Sequence, residues 1–142
     1  MAALGLRMES RSSGRPYLTR MAARSGPTEA LAQLLPLDEE RRRETTVWLA
    51  LMGASLADPE LAGELRQRYR RAREVTLPKF RTALEEAAPG EDPDDVADEL
   101  VAVVDGITVD ALTDPERYPP GRQLALLRRA LERLGLPAGE SR

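Results

Sequence analysis

The 142-residue sequence predicts an all-α fold, and three observations carry this prediction. Leu, Ala, Arg and Glu dominate the composition and are good helix formers, whereas the β-branched residues that fill strands are sparse. The segments "GPTE", "DPE" and "DPDD" each combine a capping residue, a proline at the first helical position and an acid in the first turn. Apolar residues then recur every three or four positions, so we expect one domain of about five helices.

The first two helices are predicted on either side of Pro36. The segment "SGPTEALAQLL" has helical spacing and ends before this proline. In "DEERRRETTVWLALMGAS" Asp38 is a ready N-cap, and Glu39 lies four residues before Arg43, which favours an ion pair. From Val47 onward this second helix is apolar nearly all round, which predicts burial on most of its sides.

The remaining three helices are predicted from their starts and stops. Asp58 begins a long segment in which Pro78 predicts a kink or break near Thr76–Leu77. Asp92 begins the fourth helix, "VADELVAVVDGITVDAL", after the turn "PGEDPDD". The fifth, "RQLALLRRALERLG", carries leucines at 3-4-3 spacing and ends at Gly135.

The residue types that are missing argue against several classes of function. The chain has no cysteine and no histidine, so it lacks disulfides, thiolate metal sites and the commonest general base. The acidic run 91–95 lacks the alternating ligands and the closing glutamate of a calcium loop, and helix-start chemistry explains it. We therefore expect no metal, no cofactor and no enzymatic activity.

The chain ends and the hydropathy bear on location. No apolar run approaches the roughly 20 residues that a bilayer span needs, and the opening residues lack the apolar core of a signal peptide. We expect a cytoplasmic protein without membrane contact. Five arginines and one glutamate occur in residues 1–24. Such a segment can contact nucleic acid or membrane, but its Gly, Ser and Pro content favours a disordered basic leader, predicted at 1–16.

A second basic stretch lies at 66–81, where seven cationic residues surround Tyr69 and Phe80. This combination invites a nucleic-acid interpretation. Acidic residues within and around the stretch dilute its charge, which favours a solvated helix face with the two aromatic rings turned inward.

Two features of the apolar helices bear on ligand binding. Trp48, Leu51, Met52 and Ser55 follow one another along the second helix, where they fit either a plain core or a ligand cavity. Asp105 lies within an apolar helix, where a carboxylate is costly to bury unless it is paired. It is therefore hydrogen-bonded, solvated or functional.

The last two helices predict self-association, because their apolar faces are wider than a thin single-chain bundle needs. Two such helices from each of two chains would form a four-helix interface. The alternative is that these faces complete the core within one chain. The candidate interface residues are Val96, Leu100, Val103, Ile107, Leu124, Leu127, Leu131 and Leu134.

Three stretches in this order resemble a known family. They are "LPLDEERRRETTVWLALMGASLADPELA", the helix "ELRQRYRRAR" and "VADELVAVVDGITVDALTDPE". Together they are similar to the C-terminal ligand-binding and dimerisation domain of TetR-type transcriptional repressors, in the branch of the choline-responsive repressor BetI. The recurring features are the Leu-Pro-Leu-Asp entry, the Arg-rich turn, the Trp of the next helix and the Asp-Gly pair. The resemblance covers roughly residues 17–136 and leaves a short tail at 137–142.

The resemblance implies an effector cavity among the central helices and a homodimer formed through the last two. Carried over by position, the cavity candidates are Trp48, Leu51, Met52, Ser55, Tyr69, Phe80 and Asp105. Members of the family read DNA through an N-terminal helix-turn-helix of about 50 residues, to which residues 1–16 bear no resemblance. We therefore expect a sensing and dimerisation domain whose small-molecule effector is unidentified and whose DNA-binding region is absent from this chain. The alternative is a stand-alone ligand-binding or heterodimerising protein that modulates an intact repressor.

Overall fold

The computed structural model describes residues 27–136, and these fold into five α-helices without any strand. The predicted all-α class is confirmed. The predicted leader and tail lie outside the described residues. The helices are α1 (Pro27–Ala32), α2 (Glu39–Ser55), α3 (Pro59–Ala87), α4 (Pro93–Thr113) and α5 (Pro120–Arg133).

Aspartate side chains begin α2, α3 and α4, as the sequence predicts. The carboxylate of Asp38 accepts a hydrogen bond from the backbone N–H of Arg41 at 2.9 Å. Asp58 accepts from Glu60 at 3.0 Å, and Asp92 accepts from Asp94 at 2.9 Å. Each bond satisfies a donor that the first turn of a helix leaves without an intrahelical partner.

The core lies between α4, α5, α1 and the C-terminal end of α3. Leucines and valines of these elements are almost fully buried and form one cluster. Its members on α4 and α5 recur every three or four residues, so each helix presents one continuous stripe to the other. The buried members are Leu31, Leu35, Leu84, Ala88, Val96, Leu100, Val104, Ile107, Leu127, Leu131 and Leu136.

The predicted burial of α2 is wrong within this chain. None of its residues is fully buried, and Val47 and the adjoining Leu56 are 60% and 90% exposed. The helix packs mainly against α3 and α4 at the edge of the bundle, so one side of it stays uncovered. An apolar sequence on all sides indicates burial only where neighbouring elements exist to cover each side.

The sequence predicts a kink or break near Thr76–Leu77, and the break is wrong, because α3 runs without interruption from Pro59 to Ala87. Pro78 has no N–H for the carbonyl of Glu74, which normally weakens a helix. Its ring is exposed, and the flanking Leu77 and Phe80 pack against the core. Tertiary packing on both sides of the proline therefore holds the helix together across the missing bond.

No helix among the described residues is long and apolar enough to cross a membrane.

Gly135 ends α5 in the predicted way. Its φ is +73°, and the N–H of Leu136 donates to the carbonyl of Leu131 at 2.9 Å, which is the Schellman pattern. A Cβ at Gly135 would lie 2.7 Å from the carbonyl oxygen of Ala87 at the end of α3. The glycine thus allows the end of α5 to pack in contact with the end of α3.

We expect Gly135→Ala to lower the free energy of unfolding by about 1 kcal/mol or more, because it adds a backbone clash to the strain of positive φ. Gly90→Ala is the matched control, since Gly90 has φ +91° but open space around its Cα. Urea denaturation measures both variants. Equal losses would show that the contact with Ala87 does not matter.

Candidate functional site

Helices α2 and α3 meet at a hydrogen-bonded group of three side chains. The indole N–H of Trp48 donates to the hydroxyl of Tyr69, and this hydroxyl donates to the sulfur of Met52 at 3.5 Å. Trp48 and Met52 lie four residues apart on α2, so both point toward α3. The bonds hold the tyrosine hydroxyl between an aromatic donor and a soft thioether acceptor.

Asp105 of α4 lies near this group, because its charge acts on Tyr69. Burial is the largest cause that raises the pKa of the Tyr69 hydroxyl, the hydrogen bond from Trp48 opposes it, and the nearby Asp105 carboxylate raises it further. Burial likewise raises the pKa of the Asp105 carboxyl above its ordinary value. No described residue forms a hydrogen bond or ion pair with that carboxylate. The site therefore contains a partly buried acid without a countercharge.

The chemistry of these four side chains suits a ligand with two parts. The faces of Trp48 and Tyr69 and the sulfur of Met52 offer a polarisable apolar surface. Asp105 offers a carboxylate that accepts hydrogen bonds and attracts positive charge. Tyr69 is 43% exposed, so the group is reached from solvent. A ligand with a cationic or donating head and an apolar body fits both features.

The other three predicted cavity residues take no part in the hydrogen bonds between Trp48, Tyr69 and Met52. Leu51 lines a cavity of about 20 Å³, which holds no more than about one water molecule. The hydroxyl of Ser55 donates to the carbonyl of Met52 at 2.8 Å and is engaged by its own helix. Phe80 packs against the main core. Of the seven candidates, the structure joins Trp48, Met52 and Tyr69 by hydrogen bonds and brings Asp105 within electrostatic range of Tyr69.

Arg68 is a neighbour of the site that the sequence did not single out. It borders the small cavity beside Leu51, and its charge acts on Tyr69 in the direction that lowers the pKa of the hydroxyl. Nothing in the sequence pattern distinguishes it from the other arginines of α3. Arg68 lies beside the site because of the rotation of α3 about its axis.

The basic stretch of α3 is largely a solvent-exposed face. Arg73 pairs with Asp98 and, at 3.3 Å, with Asp94 of α4. Arg81 lies 4.0 Å from Glu85 within its own helix. Among residues 27–136 no group of three or more acidic side chains is placed to hold a metal ion.

The predicted interface residues fall into two groups. Five of them are buried within the single chain, where they form the core between α4 and α5: Val96, Leu100, Ile107, Leu127 and Leu131. Val103, Leu124 and Leu134 pack against this core but keep part of their surface exposed. A second chain could reach only the latter three without unfolding the first.

A larger depression of about 390 Å³ opens where α3 and α5 end. It is lined by loop backbone and by the charged side chains of Glu91, Glu132 and Arg133. Apart from Leu134 it contains none of the predicted site residues. Its lining includes no aromatic side chain.

Comparison with known proteins agrees with the resemblance seen in the sequence. Residues 23–136 match the family model described as BetI-type transcriptional repressor, C-terminal. No curated protein and no solved structure matches the chain significantly. Because the family model covers most of the chain, the protein belongs to the BetI-type family of transcriptional repressors and contains the C-terminal domain of that family.

Replacement of Asp105 tests the electrostatics of the site. A carboxyl whose pKa is raised in the folded state destabilises the fold as the pH rises from its ordinary value through the raised value. We expect Asp105→Asn to be more stable than the wild type near neutral pH, with the difference vanishing below the ordinary pKa of 3.8. Urea denaturation across this pH range measures the effect. Glu99→Gln, at an exposed position of α4, serves as control, and a difference independent of pH would contradict the assignment.

Proposed function

We propose that this domain senses a small-molecule effector through the Trp48–Met52–Tyr69–Asp105 group and joins two repressor subunits through α4 and α5. The observation that carries the first half is the partly buried Asp105 carboxylate, which lacks a countercharge among the described residues and acts on Tyr69, the acceptor of the Trp48 hydrogen bond. Membership in a repressor family supports both halves, since regulators of this type commonly sense ligands as dimers. DNA recognition is assigned to the helix-turn-helix that the family places outside its C-terminal domain. Such a regulator is proposed to act in the cytoplasm.

The proposed effector carries a cationic or hydrogen-bond-donating head. Burial disfavours the charged form of Asp105, and a cation beside it would restore the charged form by supplying the missing partner. The rings of Trp48 and Tyr69 attract positive charge through their faces as well. An anionic ligand of the same size would meet repulsion from Asp105. The site therefore distinguishes ligands by charge as well as by shape.

The proposed dimer uses the part of α4 and α5 that remains uncovered. Val103 keeps exposed surface, and the small residues Ala102 and Gly106 on the same side of α4 are exposed. Small side chains allow two helices to approach closely. Leu124 and Leu134 add partly exposed apolar surface on α5. The same helix α4 would then contact the core, the effector and the second subunit.

Titration of Trp48 fluorescence tests the effector site, because Trp48 is the sole tryptophan. We expect hexylammonium to change its emission in a saturable way and hexanoate to have a much weaker effect, with hexanol between them. Asp105→Asn should weaken the binding of hexylammonium by about tenfold or more, since a hydrogen bond to a charged group contributes about 1.5–3 kcal/mol. Glu99→Gln should bind like the wild type. Equal binding of hexylammonium and hexanoate would contradict the proposed effector site.

Sedimentation equilibrium tests the dimer. We expect the wild type to have the mass of two chains and Val103→Glu to have the mass of one, because a carboxylate would be buried in the interface. Val75→Glu is the matched control, since Val75 is an exposed valine of α3 away from the proposed interface. A wild type that stays monomeric, or a Val103→Glu variant that stays dimeric, would exclude this interface.

A further inference from the structure

The last turn of α4 contains a carbonyl group that its own backbone cannot satisfy. In a continuing helix the carbonyl of Ala111 would accept from the N–H of residue 115. That residue is Pro115, which has no N–H. Ala111 is fully buried, so its carbonyl needs a donor from within the protein.

Arg42 of α2 supplies this donor. Its guanidinium donates through one terminal nitrogen to the carbonyl of Ala111 at 3.2 Å and through the other to the carbonyl of Leu112 at 3.4 Å. The two bonds match the fork of the guanidinium group. A positive charge is also favourable at the C-terminal end of a helix, where carbonyl dipoles accumulate. The start of α2 is thereby fixed to the end of α4.

This attachment determines which residues of α2 and α4 face each other. Trp48 lies six residues after Arg42, and Asp105 lies six residues before Ala111. The two helices run in opposite directions, so both steps cover the same distance of roughly 9 Å from the attachment. Trp48 therefore reaches the level of Asp105, in agreement with the hydrogen bond from Trp48 to Tyr69 and the electrostatic effect of Asp105 on Tyr69.

A second arginine also attaches the start of α2 to the bundle. Arg41 donates to the carbonyl of Ala32 at 3.4 Å and to the side-chain oxygen of Gln33 at 3.5 Å, which ties the same end of α2 to the end of α1. The other end leads to the exposed Leu56, and no residue of α2 is fully buried. The arginines at the start of α2 therefore act together with the hydrogen bonds between Trp48, Tyr69 and Met52 in fixing the position of α2.

We infer that Arg42 is the positioning residue of the candidate effector site, since its bonds to the end of α4 set the level at which Trp48 and Met52 meet Asp105. The role in effector binding rests on the proposed function. The geometric role does not, because it concerns the protein without a ligand.

Acrylamide quenching of Trp48 fluorescence tests the geometric role. Arg42→Gln should expose Trp48, so that its quenching constant rises toward the value of the urea-unfolded protein while the helix content by circular dichroism is retained. Arg43→Gln is the matched control, because the side chain of Arg43 is 75% exposed and pairs only with Glu39 of its own helix. Wild-type quenching in a folded Arg42→Gln variant would overturn the inference.

Pro115→Ala separates positioning from simple capping. An alanine at this position restores an N–H near the carbonyl of Ala111, so α4 no longer needs Arg42 as its donor. If Arg42 positions α2, quenching should stay raised in the double variant Pro115→Ala/Arg42→Gln. A return to wild-type quenching there would overturn the inference, since Arg42 would then serve only the end of α4. Should Arg42→Gln alone fail to fold, the double variant and Arg42→Lys provide the same comparison with the wild type.

Titration with hexylammonium then separates this inference from the proposed function. If the wild type binds hexylammonium and Arg42→Gln binds it several-fold more weakly, with Arg43→Gln unchanged, Arg42 positions a functional site. If the wild type does not bind while the quenching result holds, the proposed function fails and the positioning role of Arg42 stands. Unchanged affinity in a variant with exposed Trp48 would overturn the functional half of the inference.

Discussion

The packing of α4 against α5 is the constraint on which the other features depend. Val96, Leu100, Val104 and Ile107 form one buried stripe on α4, and this stripe fixes the rotation of the helix about its axis. Because α4 cannot rotate without exposing the stripe, Asp105 is held on the side that faces α2 and α3. A carboxylate within an apolar helix is thus kept at a defined position by burial of its neighbours, although its own burial is unfavourable.

The environment of Asp105 differs from that of the core residues on the same helix. The core residues of α4 are stable because their apolar surface is covered, whereas Asp105 gains neither a hydrogen bond nor an ion pair from the described residues. Such a group lowers stability and raises the affinity for any ligand that supplies the missing partner. The raised pKa of its carboxyl and the hydrogen bond between Trp48 and Tyr69 are therefore the two features on which the proposed effector site rests.

Helix α2 has the opposite character. It contributes Trp48 and Met52 to the candidate site but no fully buried residue to the fold. Two consecutive arginines, Arg41 and Arg42, donate to the ends of α1 and α4 and help to fix its position. A ligand that displaces α2 would act on both helix ends through these arginines. The bonds of Arg42 therefore connect α2 to α4, and those of the neighbouring Arg41 connect α2 to α1.

The features that the sequence predicted correctly depend on interactions between neighbouring residues, and those that it predicted wrongly depend on residues distant in the sequence. The helix starts at Asp38, Asp58 and Asp92 and the stop at Gly135 were predictable because each depends on hydrogen bonds within a few residues. The all-α class and the family were predictable for the same reason, since they follow from local spacing and from the order of short stretches. The burial of a helix face and the continuity of a helix through a proline depend on elements distant in the sequence. These distant elements left α2 exposed and held α3 together at Pro78.

The candidate site shows the same division. Trp48 and Asp105 were recognisable as unusual residues in apolar helices. Their approach to Tyr69 depends on the rotation of three helices about their axes and on the axial position of each helix relative to the others. The attachment of Arg42 to α4 was hidden because the carbonyls of Ala111 and Leu112, which accept its hydrogen bonds, lie far from Arg42 in the sequence. Local sequence thus specified the helices and their ends. The burial of each face, and the side chains that meet between helices, were specified by packing, because contact between distant residues exists only after the helices have assembled.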